Sequence, residues 1–214
     1  MHRRTIQALT LALALAIGAG MPSPAQATTF VPLTTENLAD VSTAIVEGVV
    51  TEVRTELDDD ARVWTIATVD VTRRLKGADV ADTVEVWSLG GEIGRYTTHI
   101  EGQAVFSEGE HLLTFLHRSE SGRYVPVGKF LGKLTFRRAP DADREHLMRW
   151  HPRAEWSFDH RFLPHPAADR RVYAEDFIAE VESHLAKPWN GETIPGVSPE
   201  LLERVNTPAN RSAR

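Results

Sequence analysis

Cysteine is absent from all 214 residues. That excludes disulfides, thiolate metal sites, a cysteine nucleophile and lipid attachment through a lipobox. A chain of this kind must be held together by its core alone, which its length allows. Long apolar runs are also missing. The longest, Ile6 to Gly20, falls short of the roughly 20 residues that span a bilayer as a helix. Three motifs with strong chemical meaning do not occur: no Gly-Lys-Ser or Gly-Lys-Thr of a phosphate loop, no H-E-x-x-H, and no G-x-S-x-G nucleophile elbow.

The first residues have a different character from the rest. Arg3 and Arg4 precede the apolar run, Pro22 and Pro24 break it, and Ala25-Gln26-Ala27 follows. A positive n-region, an h-region and an A-x-A site read as a secretory signal peptide over 1–27. The mature chain is then expected to begin at Thr28, with no membrane anchor after cleavage, and to reside in the periplasm or outside the cell. Removing residues 1–27 takes away two arginines and no acid, so the formal charge falls from −6 to −8. A net acidic surface argues against nucleic acid and against anionic lipid as partners.

From Thr28 to Arg138 the pattern is mostly β. Leu33 to Ser42 reads as a short helix capped by Thr34 or Thr35, with Glu36 in its first turn. Ala44 to Leu57 and Ala61 to Leu75 are Val- and Ile-rich runs joined by Asp58-Asp59-Asp60, which predicts a long hairpin. In the second run Val63, Ala67, Val69 and Val71 share one face, and Trp64, Ile66 and Thr72 the other. Thr83 to Leu89 and His111 to His117 are a third and a fourth strand. A fifth begins at Arg123 and is expected to run, bent at Gly128 and Gly132, to Phe136. Five strands, the first two long, suggest a small closed barrel of the OB type.

Gly90, Gly91 and Gly94 follow the third strand. A dinucleotide loop needs such glycines to open a helix within a βαβ unit, but Arg95 to Ile100 is a poor helix start. The expectation is instead a barrel corner with positive φ and close backbone passage. No cofactor is implied.

The segments Ala44–Val50 (AIVEGVV), Val69–Gly77 (VDVTRRLKG) and Val84–Gly91 (VEVWSLGG) are followed by Phe106–Leu116 (FSEGEHLLTFL) and Gly122–Phe130 (GRYVPVGKF). In content and order, over Ser42 to Arg138, they resemble the netrin-like domains. These are OB-fold modules that include the tissue inhibitors of metalloproteases. The stretch G-E-x-x-L-x-F-L is similar to one shared by exported bacterial proteins. The resemblance implies the barrel fold and a secreted protease as the class of partner. Inhibitors of that family insert a mature N-terminal cysteine at the enzyme's zinc. This chain would present Thr28-Thr29-Phe30 there, with no disulfide to fix that end, so it departs from the family at this point.

Residues 139–214 read as an irregular and helical tail docked on the barrel, with a frayed end. R-E-H-L-M-R-W (144–150) suggests one or two helical turns. Ala174 to Ala186 is the strongest helix, with Phe177, Ile178, Val181 and Leu185 on one face. Pro199 to Val205 suggests a short helical turn. His146, His151, His160 and His165 with Asp159 form a histidine-rich group, but their spacing matches no familiar metal site. Ser88, His99 and Asp82 supply the residue types of a hydrolytic triad without an elbow.

The sequence therefore reads as a mostly β, exported, non-enzymatic binding module. The partner-binding residues are expected in two loops, at Asp58, Asp59 and Asp60 and at Gly90, Gly91 and Gly94. The alternative is a periplasmic or secreted metal-binding protein or hydrolase that uses His151, His160 and His165.

Overall fold

The computed structural model describes residues 33–138, 143–149 and 172–211, together with the backbone of 156–158 and 164–166. Helix α1, Thr35–Val41, opens where Thr34 Oγ1 accepts the Asn37 N–H at 3.2 Å. Strands β1 (Ala44–Leu57) and β2 (Val63–Lys76) form the long hairpin, and β3 (Thr83–Leu89) pairs with β2. A separate hairpin follows, β4 (Gly91–Ile93) with β5 (Tyr96–Thr98). Strand β6 (His111–Arg118) returns to pair with β1 over Ala44 to Val49. Strand β7 (Tyr124–Pro126) pairs with β6 and meets β3 in parallel at Val86 and Tyr124. The ring β1-β2-β3-β7-β6-β1 is thus a closed five-stranded barrel, and the fold is the mostly β, OB-type barrel that the alternation predicted.

The expected fifth strand is two strands. After β7 the chain makes a 3-10 turn over Lys129–Gly132 and then runs as β8, Lys133–Arg137. Gly128 takes φ 62°, and a Cβ on Gly132 would lie 2.4 Å from the Val127 carbonyl oxygen. The two glycines therefore make a reversal rather than a bend. Strand β8 is carried back along the first half of β6, with Leu113 opposite Leu134.

Residues 144–150 are also not helical where described. His146–Met148 is strand β9, paired with β8, and β12 (Val172–Tyr173) pairs with β9. The open edge of β8 supplies hydrogen-bond partners, and Leu147 enters the core. The sheet thus runs without a break across residue 138. Between these strands the backbone of β10 (Trp156–Phe158) pairs with that of β11 (Pro164–Pro166).

The described residues form two apolar cores. The barrel interior holds Val46, Val50, Ala67, Val69, Val86 and Leu112. The outer core lies between the barrel wall and the helices, and includes Ile45, Leu113, Phe115, Phe136 and Phe177. Alternation sends Leu112 and Leu116 of β6 into the first core and Leu113 and Phe115 into the second. That is why β6 reads as an almost continuous apolar run.

Helix α2, Ala174–Leu185, buries Phe177, Ile178, Val181 and Leu185, and Phe177 meets Phe115 edge to face at 6.4 Å between ring centroids. Helices α3 (Pro199–Val205) and α4 (Pro208–Arg211) follow, α3 capped by Ser198.

A buried polar cluster ties these pieces together. Lys76, fully buried at the end of β2, donates from Nζ to the Ala39 carbonyl at 2.9 Å and to Asn206 Oδ1 at 3.1 Å. Asn206 Nδ2 donates to the Asp40 carbonyl at 2.8 Å, and Arg211 Nη1 to Asp40 Oδ1 at 2.5 Å. A ring nitrogen of His184 lies 2.9 Å from the same carboxylate oxygen. Burial, and then the charge of Arg211, push the Lys76 ammonium down to about 7. Burial alone would raise the Asp40 carboxyl, but His184 and Arg211 outweigh it and hold it below its usual range.

Two outcomes are expected. Phe177→Ala should cost about 3–5 kcal/mol in denaturant unfolding; a loss below about 0.5 kcal/mol would show that α2 does not support the barrel. The second concerns pH. Lys76 releases its proton near 7 when folded and near its ordinary 10.5 when unfolded. Between those values the unfolded chain binds more protons, so this group makes stability rise with pH. Urea unfolding at pH 7.5 and 9.5 should show that rise in the parent and a smaller one in Lys76→Met. Equal slopes would mean that Lys76 is not depressed.

Candidate binding surface at one end of the barrel

Both predicted loops lie at one barrel end. Thr65 Oγ1 donates to the Gly90 carbonyl at 2.8 Å, and Thr55 Oγ1 to the Glu92 carbonyl at 2.6 Å. These bonds hang the β4–β5 hairpin beside the tip of the β1–β2 hairpin. Gly90 and Gly91 have φ of 102° and 137°. A Cβ on Gly91 would lie 2.5 Å from Thr65 Oγ1, so only glycine lets the hairpin come this close. Gly94 sits at the β4–β5 turn with φ 59° and open space around it.

Between the hairpins and the barrel mouth is an open cleft of about 460 Å³, whose walls include Val53, Thr55, Gly90, Gly91, Val105 and Phe106. Its surroundings expose apolar side chains: Tyr96 is 60% exposed, Leu57 51% and Val105 47%. Asp59, Asp60 and Glu92 are exposed at the same end.

The three aspartates of the tip differ. Asp59 and Asp60 face solvent, with Asp60 in reach of Arg62 at 2.8 Å. Asp58 turns inward. Its Oδ1 accepts the Arg62 and Asp60 N–H groups at 2.9 and 3.1 Å, and its Oδ2 accepts Arg62 Nε and Trp64 Nε1, each at 2.8 Å. Desolvation opposes the carboxylate, but these donors and the Arg62 charge outweigh it and hold its pKa well below the usual range. Asp58 therefore shapes the tip, and Asp59 and Asp60 are the acids a partner would meet.

Beside the tip, the Arg123 guanidinium lies 4.3 Å from the Trp87 ring and 5.2 Å from Trp64, whose rings meet edge to face at 6.0 Å. This half-buried platform joins residues from β2, β3 and the β6–β7 loop. Arg123, which unites the two tryptophans, carries no signal in the sequence.

The remaining candidates are dispersed. Ser88 Oγ donates to the Ala104 carbonyl at 2.8 Å, His99 lies 3.0 Å from Glu101, and Asp82 pairs with Arg74 at 2.5 Å, so the three do not form a triad. His151 and His160 lie outside the described residues, and only the backbone of His165 is described. His146 is buried in β9. Among the described residues, no group of three His, Asp or Glu side chains is placed to hold a metal ion. No helix there is long and apolar enough to cross a membrane.

Comparisons with protein-family models, with curated proteins and with solved structures returned no match.

The Asp58 contacts generate a prediction. The folded pKa is depressed, so the contribution of Asp58 is present above its unfolded value, about 3.9, and is lost as pH falls through the acid range. Asp58→Ala should lower the denaturation midpoint at pH 7 and shrink that difference at pH 3. Asp59→Ala should stay within about 0.5 kcal/mol of the parent. Equal effects of the two variants would remove the distinction between them.

Proposed function

We propose that this chain is an exported, non-enzymatic binding module of netrin-like type that engages another protein outside the cytoplasm. The barrel end with the 58–60 tip and the β4–β5 hairpin is its docking surface. The observation that carries this reading is the meeting of the two hairpins around an open cleft with exposed Leu57, Tyr96 and Val105 at its margins. Apolar side chains rimmed by charge are what protein contacts use. Asp59, Asp60 and Glu92 favour a partner with a basic face and make the encounter sensitive to salt. Gly94, with open space around it at the β4–β5 turn, lets a partner's backbone come close without side-chain bulk. The resemblance to netrin-like domains makes a secreted protease the first partner class to test.

The test uses the whole chain with its leader. Mass spectrometry of the exported product should find Thr28, within a residue or two, at its N-terminus. The purified protein then serves as bait for the periplasm and culture supernatant of the producing organism. One variant carries Asp59→Arg, Asp60→Arg and Glu92→Arg, and a second carries Tyr96→Ala. The expected result is a partner held at low salt, released by added salt, and bound at least tenfold more weakly by both folded variants. Equal binding by parent and variants would overturn the assignment of the surface. Substrate turnover by the parent alone would overturn the binding-module reading.

A further inference from the structure

A second cleft lies at the other end of β1. Thr43, just before that strand, lines it, whereas Thr55, near the strand's end, lines the cleft described above. It measures about 630 Å³ and is predominantly polar, walled by the end of β6, the β6–β7 loop and helix α3.

Its charges are unusual for this molecule. Most described arginines are paired with carboxylates: Arg54 with Glu85, Arg62 with Asp58, Arg73 with Glu182, Arg74 with Asp82, Arg144 with Asp176 and Arg211 with Asp40. Arg118 and Arg204 have no carboxylate within ion-pair distance among the described residues, and both line this cleft. Arg118 lies over the Tyr124 ring at 5.6 Å, which leaves the edge of its guanidinium free to donate. His117 stands between β6 and α3, half-buried, and its Nδ1 is buried without a hydrogen-bond partner. Two acids, Asp79 and Glu120, also line the cleft, both well exposed to solvent.

The formal charges of the two arginines and the two acids cancel, but the arginines act more strongly on the ring groups of the cleft. Burial first, and then the charge of Arg204, lower the His117 imidazole; neither acid contributes to that shift. At Tyr124 burial raises the hydroxyl, and the opposing effect of Arg118 ranks ahead of that of Asp79. At both ring groups an arginine is thus the stronger charged neighbour.

We propose that this cleft binds a tetrahedral oxyanion, a phosphate or sulfate group, between Arg118 and Arg204, with His117 as a third contact. Two guanidinium forks suit such a group because each offers paired N–H donors in a plane, and oxyanions accept them at short range. An anion there would meet two guanidinium groups that make no ion pair among the described residues. It also favours the imidazolium form of His117, so binding should tighten as pH falls. Asp79, Glu120 and Tyr124 are the other titratable groups that line the cleft. The oxyanion can come free in solution or on a sulfated or phosphorylated polymer.

Sodium phosphate, sodium sulfate and heparin are the probes. The full mature chain is followed by calorimetry and by NMR of the His117 imidazole, with sodium chloride at matched ionic strength as control. Arg118→Gln and Arg204→Gln remove exposed side chains that make no ion pair, so both variants should fold. The expected result is a saturable shift of His117, stronger at pH 5.5 than at pH 8, and at least tenfold weaker in each variant. Saturation by phosphate or sulfate alone assigns a free anion. Saturation by heparin only assigns a polymer. Absence of saturation with all three probes overturns the proposal. So does an equal response to chloride, or binding unchanged in both variants.

Discussion

The double pairing of β1 is the constraint on which the rest of the molecule depends. Over Ile45 to Val49 this strand pairs with β2 on one edge and with β6 on the other. To do so it must coil sharply, and its register with β2 shifts at Glu47/Gly48 and again at Val50/Glu52. Gly48 makes that coil possible. A Cβ there would lie 2.3 Å from the Asp70 carbonyl oxygen and 2.7 Å from a Val69 methyl. Once β1 is closed on both sides, its inward residues share the barrel interior with β6, and its outward Ile45 belongs to the core beneath the helices. The same curvature brings the far end of β1 to the β4–β5 hairpin.

Charge is used inside the molecule as well as on it. Lys133 Nζ lies 2.6 Å from Glu110 Oε1, with both side chains buried, and it donates to the Val105 carbonyl at 2.5 Å. Thr135 Oγ1 donates to the same carboxylate. A buried pair of this kind adds little net stability, because each ion has lost its water. Here it fixes where the irregular 99–110 segment meets β8, and so where Val105 and Phe106 stand in the wall of the barrel-end cleft.

Strands β1, β2, β3 and β6 were legible because alternating apolar residues and turn residues are local signals. Helix α2 was legible through the spacing of Phe177, Val181 and Leu185. The division between β7 and β8 was not: Gly128 and Gly132 look alike whether a strand bends or reverses, and only the partner strand decides. Residues 144–150 have a helix-favouring composition, and pairing with the neighbouring β8 overrides it. Lys76 ends β2 in an ordinary-looking Leu-Lys-Gly, so nothing local marked it as the centre of a buried cluster. The sequence reading puts Asp58 with its two neighbours among the partner-binding acids. Trp64, one strand turn on, captures its carboxylate. The joining of the two loops was equally hidden, since it rests on the hydroxyls of Thr55 and Thr65.

The bond from Arg211 to Asp40 joins residues 171 apart in sequence. Asp40 belongs to the first described helix and Arg211 to the last. Until Arg211 has left the ribosome, the Asp40 carboxylate lacks its guanidinium partner, and Lys76 lacks the Asn206 side chain nearby only until slightly earlier. Synthesis order therefore imposes a timetable. The β1–β2 hairpin can form from local contacts, but the clasp that seals α1 against the barrel waits for Arg211. Contacts of such sequence separation are slow to close. This part of the structure therefore closes after the hairpin has formed.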